Sequence, residues 1–344
     1  MKHLSTDLHR MIEEGYINAV KHPESDLWIY NYTPKTQYEK YWNDLTLACR
    51  GRVLDKDLNK IAVPFKKFFN WEEHQIDGMP NIPNEPFEVF EKMDGSLGIL
   101  YWLHDKPMIC TRKSFESPQA LLASDWLHTR YKDSIKHLQK GKTYLFEIIY
   151  PENKIVVDYG SKTELFLLGI IDNKSEKDLP LENIGFPIVN RFDGIKDIQQ
   201  LKALNTPNSE GFVLKFQSGF RVKVKFQEYF RLHTLITQFS NVSIWENLKS
   251  GKPFDNFLEQ VPDEFYNWVK SIKADLEAQY LAIESESKRA FKTFDTRKEA
   301  ALYFQEQNHP NVLFSMLDNK DYSEQIWKII RPSFEKPYRD EFAG

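Results

Sequence analysis

Residues 210–226 read Glu210-Gly211-Phe212-Val213-Leu214-Lys215-Phe216-Gln217-Ser218-Gly219-Phe220-Arg221-Val222-Lys223-Val224-Lys225-Phe226. Two β-patterned runs flank Gln217-Ser218-Gly219, which predicts a β-hairpin. In the second arm Phe220, Val222, Val224 and Phe226 share one face, and Arg221, Lys223 and Lys225 share the other. Three like charges on one strand face repel one another. Either water solvates them on an edge strand, where lysines also deter aggregation, or a polyanion lies against them.

Working outward, similar short runs recur at Leu27–Tyr32, Leu45–Leu54, Ile61–Phe65, Phe87–Glu91, Leu97–Leu103, Met108–Arg112, Thr143–Ile149, Lys154–Asp158, Leu165–Ile171 and Phe186–Asn190. One helix is expected among them, with Ser117 as N-cap and Pro118 in its first turn, running to about Lys140. Another is expected over residues 5–20, where Leu8, Met11, Ile12, Ala19 and Val20 fall at helical spacing. Strands without regular intervening helices argue for an antiparallel α+β domain and against a doubly wound sheet. After about residue 232 the pattern changes. Phe265, Trp268, Val269, Ile272, Leu276 and Ile283 form one helical stripe behind Pro262-Asp263. Glu299–Glu306, Asn311–Leu317 and Tyr322–Ile330 read as shorter helices. The expected organisation is an antiparallel-sheet domain over 1–234 and a small all-helical domain over 235–344.

Composition bounds the possibilities. The 344 residues carry 46 Lys+Arg against 50 Asp+Glu, which excludes a histone-like polycation but not a local basic groove. With 14% aromatic residues, the chain can fill a core and does not read as disordered. The longest apolar run, Leu165–Ile171, falls far short of the roughly 20 residues that span a bilayer. The N-terminus lacks a secretory apolar stretch, so no membrane or export role is expected. Cys49 and Cys110 offer neither a disulfide framework nor metal-ligand spacing. A reduced, cytoplasmic protein is the expectation.

Four constellations can carry chemistry. Lys92-Met93-Asp94-Gly95-Ser96 lies between two strand patterns, with Asp94-Gly95 as the turn. A lysine beside a turn that exposes backbone N–H groups can meet a phosphate, and an ordinary hairpin with a surface lysine has the same string. Lys223 and Lys225 offer the cationic row already described. Glu147 sits inside Thr143–Ile149, where burial costs several kcal/mol (about 1–3 or more) unless the carboxylate is paired. An ion pair, a ribose hydroxyl or a metal-bound water would each serve. Upstream, Arg50-Gly51 and Pro64-Phe65-Lys66-Lys67-Phe68-Phe69-Asn70 set cations among aromatics, and Tyr30-Asn31-Tyr32 could flank a base or fill a core.

Together these segments resemble the covalent nucleotidyltransferase superfamily, and most closely the bacteriophage-type RNA ligase 1 family. The nucleophile motif matches at Lys92–Ser96. The carboxylate motif matches at Phe146-Glu147, continuing through Pro151, Asn153, Ile155 and Val156. Glu210-Gly211 matches the acidic–glycine motif, and Lys223 and Lys225 the paired-lysine strand. Tyr30-Asn31-Tyr32, Cys49-Arg50-Gly51, Lys67-Phe68-Phe69-Asn70 and Tyr229 look specific to the family, and order and spacing agree over residues 27–233. Where the family can carry a lysine between the nucleophile and carboxylate motifs, this chain has Arg112, a bidentate donor in place of a point charge. The C-terminal third resembles the family more loosely.

The resemblance implies an ATP-dependent RNA ligase with a nucleotidyltransferase domain. Lys92 would be the catalytic nucleophile, forming lysyl-AMP with ATP. Glu147 would bind the ribose, and Glu210 would hold Mg²⁺ (or Mn²⁺) or its waters. Arg50, Lys67 and Lys223 would contact phosphates, and Lys225 the α-phosphate, while Arg112, in the place of the family's lysine, would belong to the nucleotide-binding set. Tyr30 and Tyr229 would border the nucleotide, and the backbone at Glu91 would read adenine. The partner implied is RNA, a broken tRNA or stem-loop, served by a separate end-healing kinase or phosphatase. Side-chain amines ordinarily titrate near pH ~10.4, so a lysine nucleophile needs cations that disfavour its charged form. Two rivals stand beside this reading. A GTP-dependent capping enzyme or a DNA ligase would usually carry an OB-fold after the paired-lysine strand, against which the helical pattern beyond 232 argues. A catalytically inactive RNA-binding or damage-sensing relative would not need the intact Lys92, Glu147, Glu210, Lys223 and Lys225.

Overall fold

The computed structural model describes residues 2–75, 79–195, 197–204, 206–227, 229, 240–258, 261 and 265–335. The chain forms two compact units, 1–236 and 237–344. The first contains strands β1 (Ile17–Lys21), β2 (Leu27–Tyr32), β3 (Arg50–Asp55), β4 (Lys60–Ala62), β5 (Phe69–Asn70), β6 (Phe87–Glu91) and β7 (Ser96–Leu103). These are followed by β8 (Lys106–Cys110), β9 (Lys142–Ile149), β10 (Glu164–Asp172), β11 (Asp178–Leu179), β12 (Arg191–Phe192), β13 (Gly211–Phe216) and β14 (Arg221–Lys225). They pair in three sheets, ordered β1-β2-β3-β4, β11-β10-β9-β7-β8 and β12-β6-β13-β14-β5. Among the described residues, every pairing between these strands is antiparallel except β5 with β14. The architecture is α+β with antiparallel sheets.

The β13–β14 hairpin shows what sets its register. Val222 and Val224 are buried with Phe212, Leu214, Phe216 and Phe226, as the alternation requires. The opposite face is not solvated either. Lys223 is 8% exposed, and the Arg221 guanidinium forms a bidentate pair with Asp178 and lies 4.0 Å over the Phe65 ring. Both faces of β14 are therefore covered, and the edge-strand reading of its cations does not hold.

Several local expectations need correction. The N-terminal helix spans Lys2–Glu13, and Gly15, at φ +77°, turns the chain into β1, so Ala19 and Val20 lie on a strand. Leu45–Leu54 is not one strand. Asn43 and Thr46 form a reciprocal capping box that starts a helical turn over Asp44–Ala48, and β3 begins at Arg50. Ser117 does cap a helix, but the helix ends at His128 and a 3₁₀ segment follows at Lys132–His137. Phe186–Asn190 contributes a single bridge, Leu167 to Ile188. Lys154–Asp158 forms no strand, because the consecutive N–H groups of Val156 and Val157 both point at Asp94 Oδ2, at 2.8 and 2.9 Å. A strand would send neighbouring amides to opposite sides.

In the second unit all secondary structure among the described residues is helical: Asn241–Lys249, Phe254–Leu258, Tyr266–Ala290, Arg297–Gln305, Pro310–Leu317 and Ser323–Ile329. Phe265, Val269 and Leu276 of the expected stripe are buried. Pro262 and Asp263, expected to precede that helix, lie outside the described residues. Phe304, Ala300 and Leu313 form an apolar cluster, and Trp245 Nε1 donates to the Trp327 carbonyl at 2.8 Å. Among the described residues no helix is long and apolar enough to cross a membrane.

Candidate active site

The turn between β6 and β7 carries Lys92. Its N–H donates to the Gly211 carbonyl at 2.9 Å, which ties the turn to β13. Its Nζ lies 2.7 Å from Glu210 Oε2, and Lys225 Nζ lies 3.0 Å from Glu210 Oε1. One carboxylate thus holds two ammonium groups. Burial pushes the Glu210 carboxyl up, but Lys92 and Lys225 outweigh it and hold the group below the usual carboxylate range. Gly211 permits the close approach. At φ +142°, a Cβ there would sit 2.1 Å from the Val224 carbonyl oxygen. Glutamate supplies the charge and glycine the room, which explains why the two residue types occur side by side.

The Asp94 side chain was legible only as a turn former. It is 3% exposed and ties two distant segments to its own turn. Its Oδ2 accepts from Val156 and Val157, its Oδ1 from Tyr229 Oη at 2.9 Å, and its own N–H donates to Tyr159 Oη at 2.8 Å. Gly95 then presses on β9, where a Cβ would lie 2.7 Å from the Ile148 carbonyl oxygen. Its N–H donates to Glu147 Oε1 at 2.9 Å. Burial pushes the Glu147 carboxyl up to about 7, and Glu210 and Asp94 add to the shift while Lys92 and the Gly95 N–H pull it back.

The raised value has a signed consequence. The folded state binds the Glu147 proton more tightly than the unfolded chain does. Its stability contribution is therefore complete below the ordinary carboxylate range and is lost as pH rises through about 7. Glu147→Gln should keep the acceptor for Gly95 and remove that loss. The stability gap between variant and parent, read from melts, should widen in the variant's favour from pH 5 to pH 8, approaching about 3 kcal/mol. A gap that does not change with pH would refute the assignment.

A wall of cations and aromatics extends from β14. The Arg50 guanidinium lies 5.5 Å and Lys223 Nζ 6.0 Å from the Phe68 ring. Lys67 Nζ lies 5.4 to 5.6 Å from the rings of Tyr32, Trp42 and Phe69. Arg112 donates to Tyr32 Oη at 3.0 Å, and Lys225 Nζ lies 5.1 Å over Tyr229. Gly51 aims Arg50. Tyr30 pairs with Arg52 and Asn31 with Arg50, so Gly51, at φ +91°, is the extra residue of a β-bulge.

Contacts therefore connect Lys92, Glu210, Lys225 and Tyr229 in one group, Arg50 and Lys223 across Phe68 in a second, and Lys67 and Arg112 across Tyr32 in a third. Glu147 joins the first group through Gly95. Tyr30 is not among them. It is buried with Leu8, Met11, Ile17, Cys49 and Leu54 in an apolar cluster, and Tyr32 is the tyrosine beside the cations. The Glu91 N–H is committed to the Asn190 carbonyl at 2.9 Å, and the Glu91 side chain accepts from Asn190 Nδ2. Sequence reasoning missed Asp94 as a hub, together with Tyr159 and Trp42. The Asp94-Gly95 string signalled a turn, and no local pattern says that its carboxylate is buried.

Comparison with known proteins shows the family. The RNA ligase family profile matches residues 48–230, more than half of the chain. The chain belongs to the RNA ligase family. A protein named “Putative RNA ligase” from Thermovibrio ammonificans is 28% identical over 233 residues, covering 64% of this chain and 58% of that protein. An RNA ligase of Rhodothermus phage RM378 is 24% identical over 191 residues, covering 44% of this chain and 42% of the phage protein. The chain thus spans about half the length of the relatives it matches. The solved Naegleria gruberi RNA ligase with PPi aligns over 43% of this chain and 52% of its own, at 21% identity and a TM-score of 0.37.

Proposed function

We propose that this protein is an ATP-dependent RNA ligase that joins 3′-OH and 5′-phosphate ends through lysyl-AMP and adenylated RNA. The observation that supports this reading most directly is Lys92 Nζ held 2.7 Å from Glu210, beside Lys225. In the first step Lys92 Nζ, having given up its proton, forms a P–N bond to the ATP α-phosphate, and the bond to pyrophosphate breaks. Lys225, Lys223, Arg50, Lys67 and Arg112 supply positive charge for the triphosphate and for the charge that develops on pyrophosphate. The AMP then passes to an RNA 5′-phosphate, forming a P–O–P linkage and freeing Lys92. Finally a 3′-OH attacks that phosphate, a 3′–5′ phosphodiester forms and AMP leaves. Glu147 would hold the ribose, and Tyr229 would border the nucleotide while its hydroxyl steadies Asp94.

The donor set fits a divalent cation that relies on its ligand. Among the described residues no three or more His, Cys, Asp or Glu side chains cluster as a metal cage. Mg²⁺ (or Mn²⁺) would be held mainly by phosphates and its own waters, with Glu210 reaching it directly or through one of those waters. Bound there it would neutralise phosphate charge.

The test uses ATP, GTP and NAD offered separately with Mg²⁺. Intact mass should rise by one AMP with ATP, and peptide mapping should place it on Lys92. Label taken only from GTP, or carried by another residue, would overturn the reading. The finer proposal is repair of broken tRNA loops, with the helical unit selecting the RNA. That unit, residues 237–344, carries 14 Lys+Arg against 18 Asp+Glu, so selection there would rest on shape and local contacts rather than bulk charge. Equal sealing of tRNA and unstructured RNA by the whole chain would remove this part of the proposal.

A further inference from the structure

Two asparagines beside the cationic wall keep an acceptor oxygen unused. Asn70 is 4% exposed and Asn31 is 5% exposed, and neither Oδ1 has a hydrogen-bond partner among the described residues. Both amides are fixed in orientation. Asn70 Nδ2 donates to Glu73 Oε2 at 3.0 Å, and the same oxygen takes the Asn70 N–H at 2.8 Å. Asn31 Nδ2 donates to the Tyr32 carbonyl at 2.7 Å. Turning either amide over would set oxygen against oxygen.

Strand register says where these side chains lie. Residues paired across neighbouring strands share a sheet face. Asn70 pairs with Lys223, and Asn31 pairs with Arg50. Lys223 and Arg50 are the two cations that flank Phe68. Two dry acceptors thus stand each beside a cation assigned above to phosphates. A buried carbonyl oxygen without a donor is unfavourable and rare in native folds. Phosphate oxygens cannot satisfy it, because at neutral pH they are acceptors themselves. What fits is a ligand that brings phosphates and an O–H group together.

We propose that Asn70 and Asn31 are ligand-contacting residues whose Oδ1 atoms accept hydrogen bonds from O–H groups carried with the triphosphate. The donor is a ribose hydroxyl of ATP or a water on the accompanying divalent ion. The inference rests on the ATP-binding reading given above and adds to it the residues that sense what accompanies the phosphates.

The test compares Asn70→Leu and Asn31→Leu with the parent protein. Leucine keeps the shape and removes the acceptor. Leucine also removes the amide donor to Glu73 or to the Tyr32 carbonyl, so ligand-free melting temperature should fall modestly, the loss of the unsatisfied oxygen offsetting part of that cost. Affinity for Mg·ATP, read by calorimetry, should fall about tenfold in each variant. The same titrations with Mg·2′-deoxy-ATP, Mg·3′-deoxy-ATP and ATP in EDTA identify the donor. The gap between variant and parent should close in the arm that lacks it. Variants that bind Mg·ATP as tightly as the parent, or that stay equally weakened in every arm, would overturn the inference. A parent protein that binds no Mg·ATP would instead overturn the ATP reading.

Discussion

Lys92→Ala should acquire no AMP when incubated with ATP and Mg²⁺, and should seal 5′-phosphate RNA at least about 10³-fold more slowly than the parent. The expectation follows from position as well as residue type. Lys92 is more exposed than its neighbours at Glu210, with 20% of its side chain accessible against 8% for Lys225, so it can meet a ligand while Lys225 stays committed to the carboxylate. The variant leaves Glu210 paired with Lys225, so the fold should survive and the protein should melt near the parent temperature. A second measurement separates the steps. The final attack of a 3′-OH on adenylated RNA does not use the Lys92 amine as nucleophile, so the variant should retain sealing of a strand supplied already adenylated. AMP uptake by the variant would show that another residue is the nucleophile.

Glu210→Gln is the second large effect. Gln keeps the shape but leaves two ammonium groups without the carboxylate that now joins them. Removing one partner of a buried pair is costly because the remaining charge stays buried, so a loss of about 3 kcal/mol is expected at neutral pH. AMP transfer should fall about 10²-fold as well, since Lys92 and Lys225 lose the group that holds them together. The pH dependence has the opposite sign to that of Glu147. The Glu210 carboxyl titrates below its ordinary range in the fold, so its contribution is present above that range and lost as pH falls through the lowered value. The stability gap between parent and Glu210→Gln should shrink on acidification in a series of melts. A gap that persists undiminished into acid would show that Glu210 is not the shared counter-charge. Two buried carboxylates that feel the charge of Lys92 thus differ in sign, because only Glu210 pairs directly with it and with a second cation, Lys225.

Local chemistry was readable where a residue acts through its own turn or its own period. The β13–β14 hairpin, the Ser117 cap and the family motifs belong to this class. So does the stripe at Phe265, Val269 and Leu276, which the long helix does bury. The capping box at Asn43 was also present in the sequence, but the apolar run after it read as a strand. Propensity was outweighed there by three side-chain hydrogen bonds to the backbone.

The sequence by itself determined which residues share a face of β14, which turn exposes Lys92 and which carboxylates accompany them. Tertiary structure alone decided what lies against those faces. It enclosed the row of Arg221, Lys223 and Lys225 between Asp178, Phe68 and Glu210. It placed the Gly51 bulge that sets Arg50 opposite Asn31, put Tyr30 in a core and Tyr32 at the cations, and drew the Asp94 carboxylate inward to two distant segments. The physical reason is that periodicity depends on neighbours along the chain, whereas burial and charge pairing depend on neighbours in space. Lys92 meets Glu210 only once β6, β13 and β14 lie side by side.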